Sequence, residues 1–218
     1  MRRSIYCRVQ SVKKIARPLR HKVEGSAILE FAISLPLLVV FIVGIFDFSG
    51  AFNLKQKIAQ AAQEGAIVAA AQPTSDIDTS DTDPGSLQPV VAAVFNSLVG
   101  SNVLAQANSG RCKLNPAPKG TQSPAGSLTW MYDIRGCSGY THDTTAGCMG
   151  STSDRLWIVV NRGWVDSSAA APIPVGTSVT VSYDYHWRFN SVIQLLFPLA
   201  NYSPKTCVSE TATVHNQT

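Results

Sequence analysis

Charged residues are scarce in this chain of 218 residues, and the motifs of common hydrolytic and phosphate-binding enzymes are missing from it. Only 15% of its residues are charged, which is low for a soluble globular protein. The sequence contains no Gly-x-Ser-x-Gly, no His-Glu-x-x-His and no phosphate-binding glycine loop. We therefore expect His142 and His186 to be solvated rather than catalytic, and we expect neither enzymatic activity nor a cofactor.

The few charges are unevenly distributed along the chain. Residues 1–25 contain eight basic residues and one acidic residue, Glu24, whereas the rest of the chain has ten basic and 13 acidic residues. A basic arm of this kind is compatible with nucleic-acid binding. The segment that follows it, described next, favours a different role, and no nucleic-acid partner is predicted.

Residues 26–46, SAILEFAISLPLLVVFIVGIF, form a long apolar run in which Glu30 is the single charged residue. At about 1.5 Å per residue, a helix of this length spans roughly 30 Å, the thickness of a bilayer core. A buried helix of a soluble protein is the alternative, but such helices rarely run this long without charge. The run is also longer than the apolar region of a cleaved secretory signal. It is predicted to be a retained transmembrane helix.

The basic arm then indicates the orientation of this helix in the membrane. Loops rich in Lys and Arg stay in the cytoplasm. After the apolar run, only Lys55 and Lys57 lie close to it. We therefore predict a cytoplasmic leader over residues 1–25, a single pass through the inner membrane, and a periplasmic remainder. Asp47 is interpreted as a marker of the outer membrane boundary.

Beyond the membrane the sequence predicts an α+β fold: a long N-terminal helix, a second helix and a small antiparallel sheet. The first helix should continue over residues 47–72 and end at Pro73, with a stripe of mostly small residues on one face. The remainder, 73–218, should form a disulfide-bearing domain. Its predicted elements are a second helix from Pro89 towards Gln106 and strands over 128–134, 155–165, 179–189 and 206–215. The predicted stripe contains Phe48, Phe52, Ala59, Ala62, Ala66 and Ala70.

The cysteines divide between the two predicted compartments. Cys7, in the leader, should be a free thiol, whereas the other four should form disulfides in an oxidising compartment. Four cysteines allow three pairings. The short glycine-rich segment between Cys137 and Cys148 favours pairing these two, which leaves Cys112 for Cys207. A zinc site that includes His142 is the rival, but no Cys-x-x-Cys spacing is present, so no metal is predicted.

One short motif stands at the junction of the leader and the apolar run. The basic leader ends in Gly25, and Glu30 follows five residues later inside the apolar helix. A carboxylate there costs about 2.5–3.5 kcal/mol at the bilayer centre and less near the interface. That cost suggests a partner. If the chain is cut after Gly25, the new amine of Ser26 can be this partner, in the same chain or in a neighbour.

This layout resembles type IV prepilins and, among them, is most similar to the TadE family, pseudopilins of the tight-adherence (Tad) pilus. The resemblance covers residues 22–72 and returns loosely in the C-terminal segments. It is carried by a Gly-x-Ala-x-x-Glu-Phe core with a following Leu-Pro, by an outer Gly-x-acid/aromatic pattern, and by an alanine-rich helix with a Gly-Ala pair. The matching residues are Gly25, Ala27, Glu30, Phe31, Leu35 and Pro36, then Gly44, Asp47 and Phe48, then Gly65 and Ala66.

The resemblance implies a structural role rather than catalysis. A prepilin peptidase would cut between Gly25 and Ser26, and Glu30 with Phe31 would serve peptidase recognition or assembly. The expected function is that of a minor pilin in the assembly of a Tad-type pilus, which serves adhesion and biofilm formation. Its partners would be other pilins, the Tad assembly platform and the lipid bilayer, and it would reside in the inner membrane or in the extracellular pilus. The alternative is a membrane-anchored binding module that does not polymerise.

Overall fold

The computed structural model has the α+β architecture that the sequence predicts. It describes residues 24–77, 83–115, 117–137, 147–150, 154–165, 175–189 and 205–217. The predictions for the leader up to residue 23 with Cys7 and for His142 lie outside these residues.

Two helices and five strands make up the described fold. Helix α1 runs over Glu24–Ala71 and helix α2 over Gln88–Gly100, after a short 3-10 turn at Gly85–Leu87. The strands form one antiparallel sheet in the order β1-β2-β3-β4-β5. Their bounds are Thr121–Gln122 (β1), Thr129–Arg135 (β2), Arg155–Val165 (β3), Val175–His186 (β4) and Lys205–His215 (β5).

Helix α1 is continuous through Pro36, as expected for a proline in a membrane-spanning helix. It ends two residues before Pro73, because the residue that precedes a proline is pushed out of the helical conformation. Helix α2 opens with Pro89 in its first turn, where the missing N–H is not needed. It ends at Gly100, earlier than predicted, and Asn102 then takes a left-handed conformation with φ 54°.

Two compact units divide the chain, Met1–Phe41 and Ile42–Thr218. In the described part of the first unit the apolar side chains of α1 are exposed; Phe31, for example, is 66% exposed. Among the described helices, α1 is long and apolar enough to cross a membrane, and its most apolar window of 18 residues is only 6% buried. A helix of a soluble core would hide these side chains, so their exposure favours the lipid-facing interpretation.

The core of the second unit, called the outer domain below, lies between the sheet and the two helices. Alternate residues of the central strands point to the helices and are fully or almost fully buried. Helix α1 contributes mostly alanines to this core, and α2 contributes larger side chains. The main core residues are Ile58, Ala61, Ala62, Ala66 and Ala69; Val90, Val91, Val94, Phe95 and Leu98; and Trp130, Tyr132, Leu156, Ile158, Val160, Val179 and Val181.

The predicted stripe on α1 is partly confirmed. Ala62, Ala66 and Ala70 are buried, whereas Phe48 is 73% exposed and Phe52 is also exposed. The buried face instead continues through Ile58 and Gly65. At Gly65 the helix comes so close that an added Cβ would lie 2.5 Å from Val94 Cγ2 and 3.3 Å from Val179 Cγ1. The small residues of α1 therefore allow the helix to approach both α2 and the sheet.

Apolar and polar residues alternate along β4, and its polar face is not simply exposed to solvent. Ser182 and Asp184 on this face are buried, because the segment around Cys148 packs over the ends of β4 and β5. Further along the same face, hydroxyl pairs join the strands: Thr180 with Thr211 at 2.7 Å and Ser182 with Ser209 at 2.8 Å. The alternation in the sequence thus identifies the strand but not what covers its polar side.

The described residues contain two disulfides, as predicted, but the favoured pairing is wrong. Cys112 is joined to Cys137 and Cys148 to Cys207. The loop after α2 docks at the end of β2, where the Gln106 N–H donates to the Cys137 carbonyl, and this brings Cys112 beside Cys137. Strand register places Cys207 directly opposite Asp184, and the Cys148 N–H donates to the carboxylate of Asp184. Both juxtapositions depend on tertiary packing that the spacing of cysteines does not reveal.

Candidate functional site

The predicted processing residues lie at the start of α1. The helix begins at Glu24, so the Gly25–Ser26 peptide bond lies in its first turn. Ser26 is exposed, as are Glu30 and Phe31 one turn further along. All four predicted residues therefore belong to one short segment at the N-terminal end of the described chain.

Glu30 is surrounded in sequence by apolar side chains that are all exposed. Ile28, Leu29 and Ile33 are each more than half exposed, like Phe31. An exposed carboxylate among exposed apolar side chains suits neither water nor lipid without a partner. The segment thus presents an apolar surface with a single point of negative charge.

Asp47 has a structural role that the sequence interpretation missed. Its side chain is only 3% exposed, although it follows directly after the apolar run. The backbone N–H groups of Arg188 and Phe189 donate to its two carboxylate oxygens at 3.2 and 3.4 Å. The hydroxyl of Tyr185 donates to the Asp47 carbonyl at 3.1 Å. Asp47 therefore holds the end of β4 against α1, rather than only marking a boundary.

Gly50 makes this contact possible. A Cβ at position 50 would lie 2.5 Å from the hydroxyl oxygen of Tyr185, so a side chain there would push the strand away. The phenol ring of Tyr185 also packs edge-on against Trp187, whose indole ring approaches that of Phe48. The outer pattern of Gly44, Asp47 and Phe48 is the sequence signal for this cluster, but it does not predict which strand packs against α1 there.

Arg162 makes a corresponding contact at the other end of α1, and sequence reasoning missed this residue as well. It is 3% exposed, and its guanidinium donates to the carbonyls of Ala69 and Gln72 and to the hydroxyl of Thr177. These carbonyls lie at the C-terminal end of α1, where the regular helical N–H partners run out, although the Ala69 carbonyl also accepts from the Gln72 N–H at 3.1 Å. A cation is also favoured at this end of the helix dipole. A single arginine on β3 thus caps α1 from the sheet.

The burial of Arg162 has an electrostatic consequence. Removal from water lowers the pKa of its guanidinium, and the nearby Asp76 carboxylate opposes this shift. Burial of Asp76 by itself raises its pKa, but the hydrogen bond from the Ser86 N–H at 2.7 Å and the charge of Arg162 leave that pKa below its usual value. The Asp76 carboxylate is therefore ionised at neutral pH.

One cluster resembles a metal site in composition but does not offer metal ligands. A sulfur atom from each of Cys148 and Cys207 and a carboxylate oxygen of Asp184 lie within 4.8 Å of one another. Both sulfurs are in a disulfide, and the buried Lys205 ammonium lies 3.7 Å from the Asp184 carboxylate. The cysteine pair therefore presents no thiolates, and the lysine supplies the positive charge that a metal would bring. His186, predicted to be solvated, is half-buried on β4.

A cleft of about 550 Å³ opens beside the part of α1 that contains Gly50. It lies between α1, the loop after α2 and the end of β4, and the Lys57 ammonium crosses it to the Ser101 carbonyl at 2.8 Å. Its volume is in the range of small-molecule sites. Its lining includes Ser49, Asn53, Lys57, Asn102, Tyr183, Tyr185, His186 and Arg188.

The chain was compared with protein families, with curated proteins and with solved structures. No curated protein and no solved structure matches it. Residues 25–66 match the family model described as TadE-like protein. The match begins at Gly25 and ends at Ala66, so it covers the predicted processing segment, the apolar run, Asp47 and the Gly65 approach. The chain therefore carries a TadE-like segment over residues 25–66, on its N-terminal apolar helix.

Proposed function

We propose that this protein is a minor pilin that a prepilin peptidase cuts after Gly25 and that takes part in assembly of a Tad-type pilus from the inner membrane. The carrying observation is the first part of α1, an exposed apolar helix that holds one carboxylate, Glu30, and coincides with the TadE-like match. This segment has the surface of a helix that inserts in lipid and packs with similar helices. The role is structural, and no catalytic step is assigned to it.

Processing is the first test. Replacing Gly25 with a bulky residue, as in Gly25→Leu, should leave the full chain in the membrane, because the peptidase must accept the residue before the cut. The wild-type protein should instead begin at Ser26. N-terminal sequencing of the purified membrane form measures this directly. Gly44→Leu is a matched control, because nothing lies within 4 Å of a Cβ at this position and it lies far from the cut. A mature wild-type protein that starts at Met1, or beyond Phe46, would refute the pilin proposal.

Assembly is the second test, and it rests on Glu30. After cleavage, the Ser26 amine lies four positions from Glu30, about 6 Å along the helix axis at 1.5 Å per residue. A neighbouring helix shifted by a similar distance could bring its own amine level with Glu30. Low dielectric strengthens such a pair, although desolvation offsets part of the gain.

We therefore expect Glu30→Ala to leave cleavage and the outer domain intact but to impair association with other pilins. Removal of the charge should make membrane insertion easier, so the two effects have opposite signs. Crosslinking within the membrane from positions 27–33 to partner pilins reports the association. Normal crosslinking and normal piliation with Glu30→Ala would show that Glu30 is not the assembly contact.

The alternative, a membrane-anchored binding module that does not polymerise, is supported by one observation, the cleft beside Lys57. The two functions differ in what they require. A binding module needs the cleft but not cleavage after Gly25, whereas a pilin needs cleavage and association. Lys57→Met, which removes the ammonium that crosses the cleft, should leave piliation unchanged if the pilin function is correct.

A further inference from the structure

The contacts of Asp47 bring the end of β4 to the point where the apolar run stops. Phe46 is the last residue of that run, and Asp47, the next residue, receives the N–H groups of Arg188 and Phe189. In a helix that spans the bilayer, the residues just beyond the apolar run lie at the level of the lipid headgroups. The side chains next to this contact are therefore placed where they can meet the membrane surface.

These side chains have the chemistry of an interfacial contact. The Phe48 ring is 73% exposed, and its centroid lies 6.2 Å from that of Trp187. The indole N–H of Trp187 donates to the Thr206 hydroxyl at 2.9 Å, so the polar edge of the ring is held at the domain while the ring faces Phe48. Tryptophan is enriched at membrane–water interfaces because its apolar body and polar edge suit the headgroup level.

An exposed basic residue lies beside this aromatic pair. Arg188 is exposed next to Trp187. Arg135 is also exposed. It is the last residue of β2 and lies opposite Arg155, whose neighbour Leu156 pairs with Tyr183 on β4. Of the described carboxylates at this end of the sheet, three have partners within the protein. Asp47 and Asp184 are buried with partners of their own, and Asp133 is shared between Arg135 and Arg155.

We infer that this corner of the outer domain, formed by Phe48, Trp187 and Arg188, binds the headgroup region of an anionic phospholipid bilayer. Trp187 and Phe48 enter the interface, and Arg188 pairs with lipid phosphate. The contact rests on the proposed membrane anchor and adds to it a second attachment, which holds the outer domain on the bilayer surface before assembly.

Fluorescence quenching in nanodiscs tests this contact with the full-length protein. The lipid is phosphatidylcholine mixed with phosphatidylglycerol, brominated on the acyl chain close to the headgroup. Trp187→Phe identifies the Trp187 signal by subtraction, since the other tryptophans remain. We expect this difference signal to be strongly quenched. Arg188→Glu should reduce the quenching, because one basic residue strengthens attachment to an anionic surface roughly fivefold. Lys119→Glu makes the same charge change at an exposed site two residues before β1 and should have no effect.

The failure of the anchor and the failure of the contact give different results. Leu38→Trp in the Trp187→Phe background places an indole in the middle of the apolar run. In separate nanodiscs whose lipid is brominated near the end of the acyl chain, its quenching reports insertion of α1 alone. Without quenching of Leu38→Trp, the membrane anchor of the proposed function is wrong. With that quenching present, an unquenched Trp187 signal overturns the inferred contact. Equal losses with Arg188→Glu and Lys119→Glu overturn it as well, because a local phosphate contact cannot depend on both.

Discussion

The close approach at Gly65 leads to a prediction with a defined sign. Alanine at an interior helical position is favoured over glycine by about 1 kcal/mol, so helix propensity alone predicts that Gly65→Ala stabilises the protein. The structure predicts the opposite. The new Cβ would lie 2.5 Å from Val94 Cγ2, closer than real Cβ contacts come, and 3.3 Å from Val179 Cγ1. Val94 is fully buried, and its branched side chain has one preferred rotamer in a helix, so it cannot turn away.

The magnitude follows from these two opposing terms. Overpacking of a tight core costs about 1–3 kcal/mol. After subtraction of the propensity gain, the free energy of unfolding should fall by up to about 2 kcal/mol. Gly100→Ala is the matched control, since Gly100 is also helical and nothing lies within 4 Å of a Cβ there. This control should be neutral or up to about 1 kcal/mol more stable.

A second substitution identifies the cause. Val94→Ala removes the methyl group that the new Cβ would meet, so Gly65→Ala should cost little in that background, with a coupling of at least about 1 kcal/mol between the two sites. Urea unfolding of the full-length protein in detergent, followed by near-ultraviolet circular dichroism, measures each variant through its midpoint and slope. The reasoning is refuted if Gly65→Ala is as stable as Gly100→Ala, or if the double variant shows no coupling.

Two further predictions concern the contacts that join the elements. Asp47→Leu leaves the Arg188 and Phe189 N–H groups without their acceptor, which costs about 1–3 kcal/mol. The hydrogen exchange of these two amides should therefore accelerate at least about tenfold. Asp47→Asn keeps one acceptor oxygen, so it should accelerate the exchange less. Unchanged exchange of these two amides with Asp47→Leu would contradict the assigned role. For the disulfides, non-reducing peptide mapping should recover Cys112–Cys137 and Cys148–Cys207. Because these bonds span 25 and 59 residues, removal of the second pair should destabilise the protein by about 1 kcal/mol more than removal of the first.

The elements of the fold could be predicted from the sequence because each has a strong local signal. The apolar run and the alanine-rich continuation indicate α1, Pro73 indicates its end, and the alternation after Val179 indicates β4. The helix bounds agree with the predictions within two residues at both ends of α1. By contrast, α2 was predicted too long, because no proline between Gly100 and Gln106 marks its end. Local composition and periodicity carry this information without any knowledge of packing.

The contacts between elements could not be predicted in the same way. Asp47 and Arg162 look like ordinary charged residues, and their roles depend on backbone groups of a turn and a helix that lie at least 90 residues away in the chain. The cysteine pairing was wrong for a related reason. A short glycine-rich segment favours local closure, but strand register places Cys207 beside Asp184 and the loop after α2 places Cys112 beside Cys137. The processing residues, in contrast, could be proposed from the sequence alone, because their signal lies in one continuous stretch of the chain.

The order of the strands has a consequence for how an exported chain would oxidise. Every strand pairs with the one that precedes it in sequence, so the sheet can grow as each new strand arrives. The disulfides follow the same order, since Cys112 bonds to Cys137 and Cys148 bonds to Cys207, the next of these four cysteines along the chain in each case. In a chain that enters the oxidising compartment from its N-terminal side, Cys112 meets Cys137 before Cys148 and Cys207 have emerged. Vectorial emergence thus favours the native connectivity, and bond shuffling is not needed to reach it.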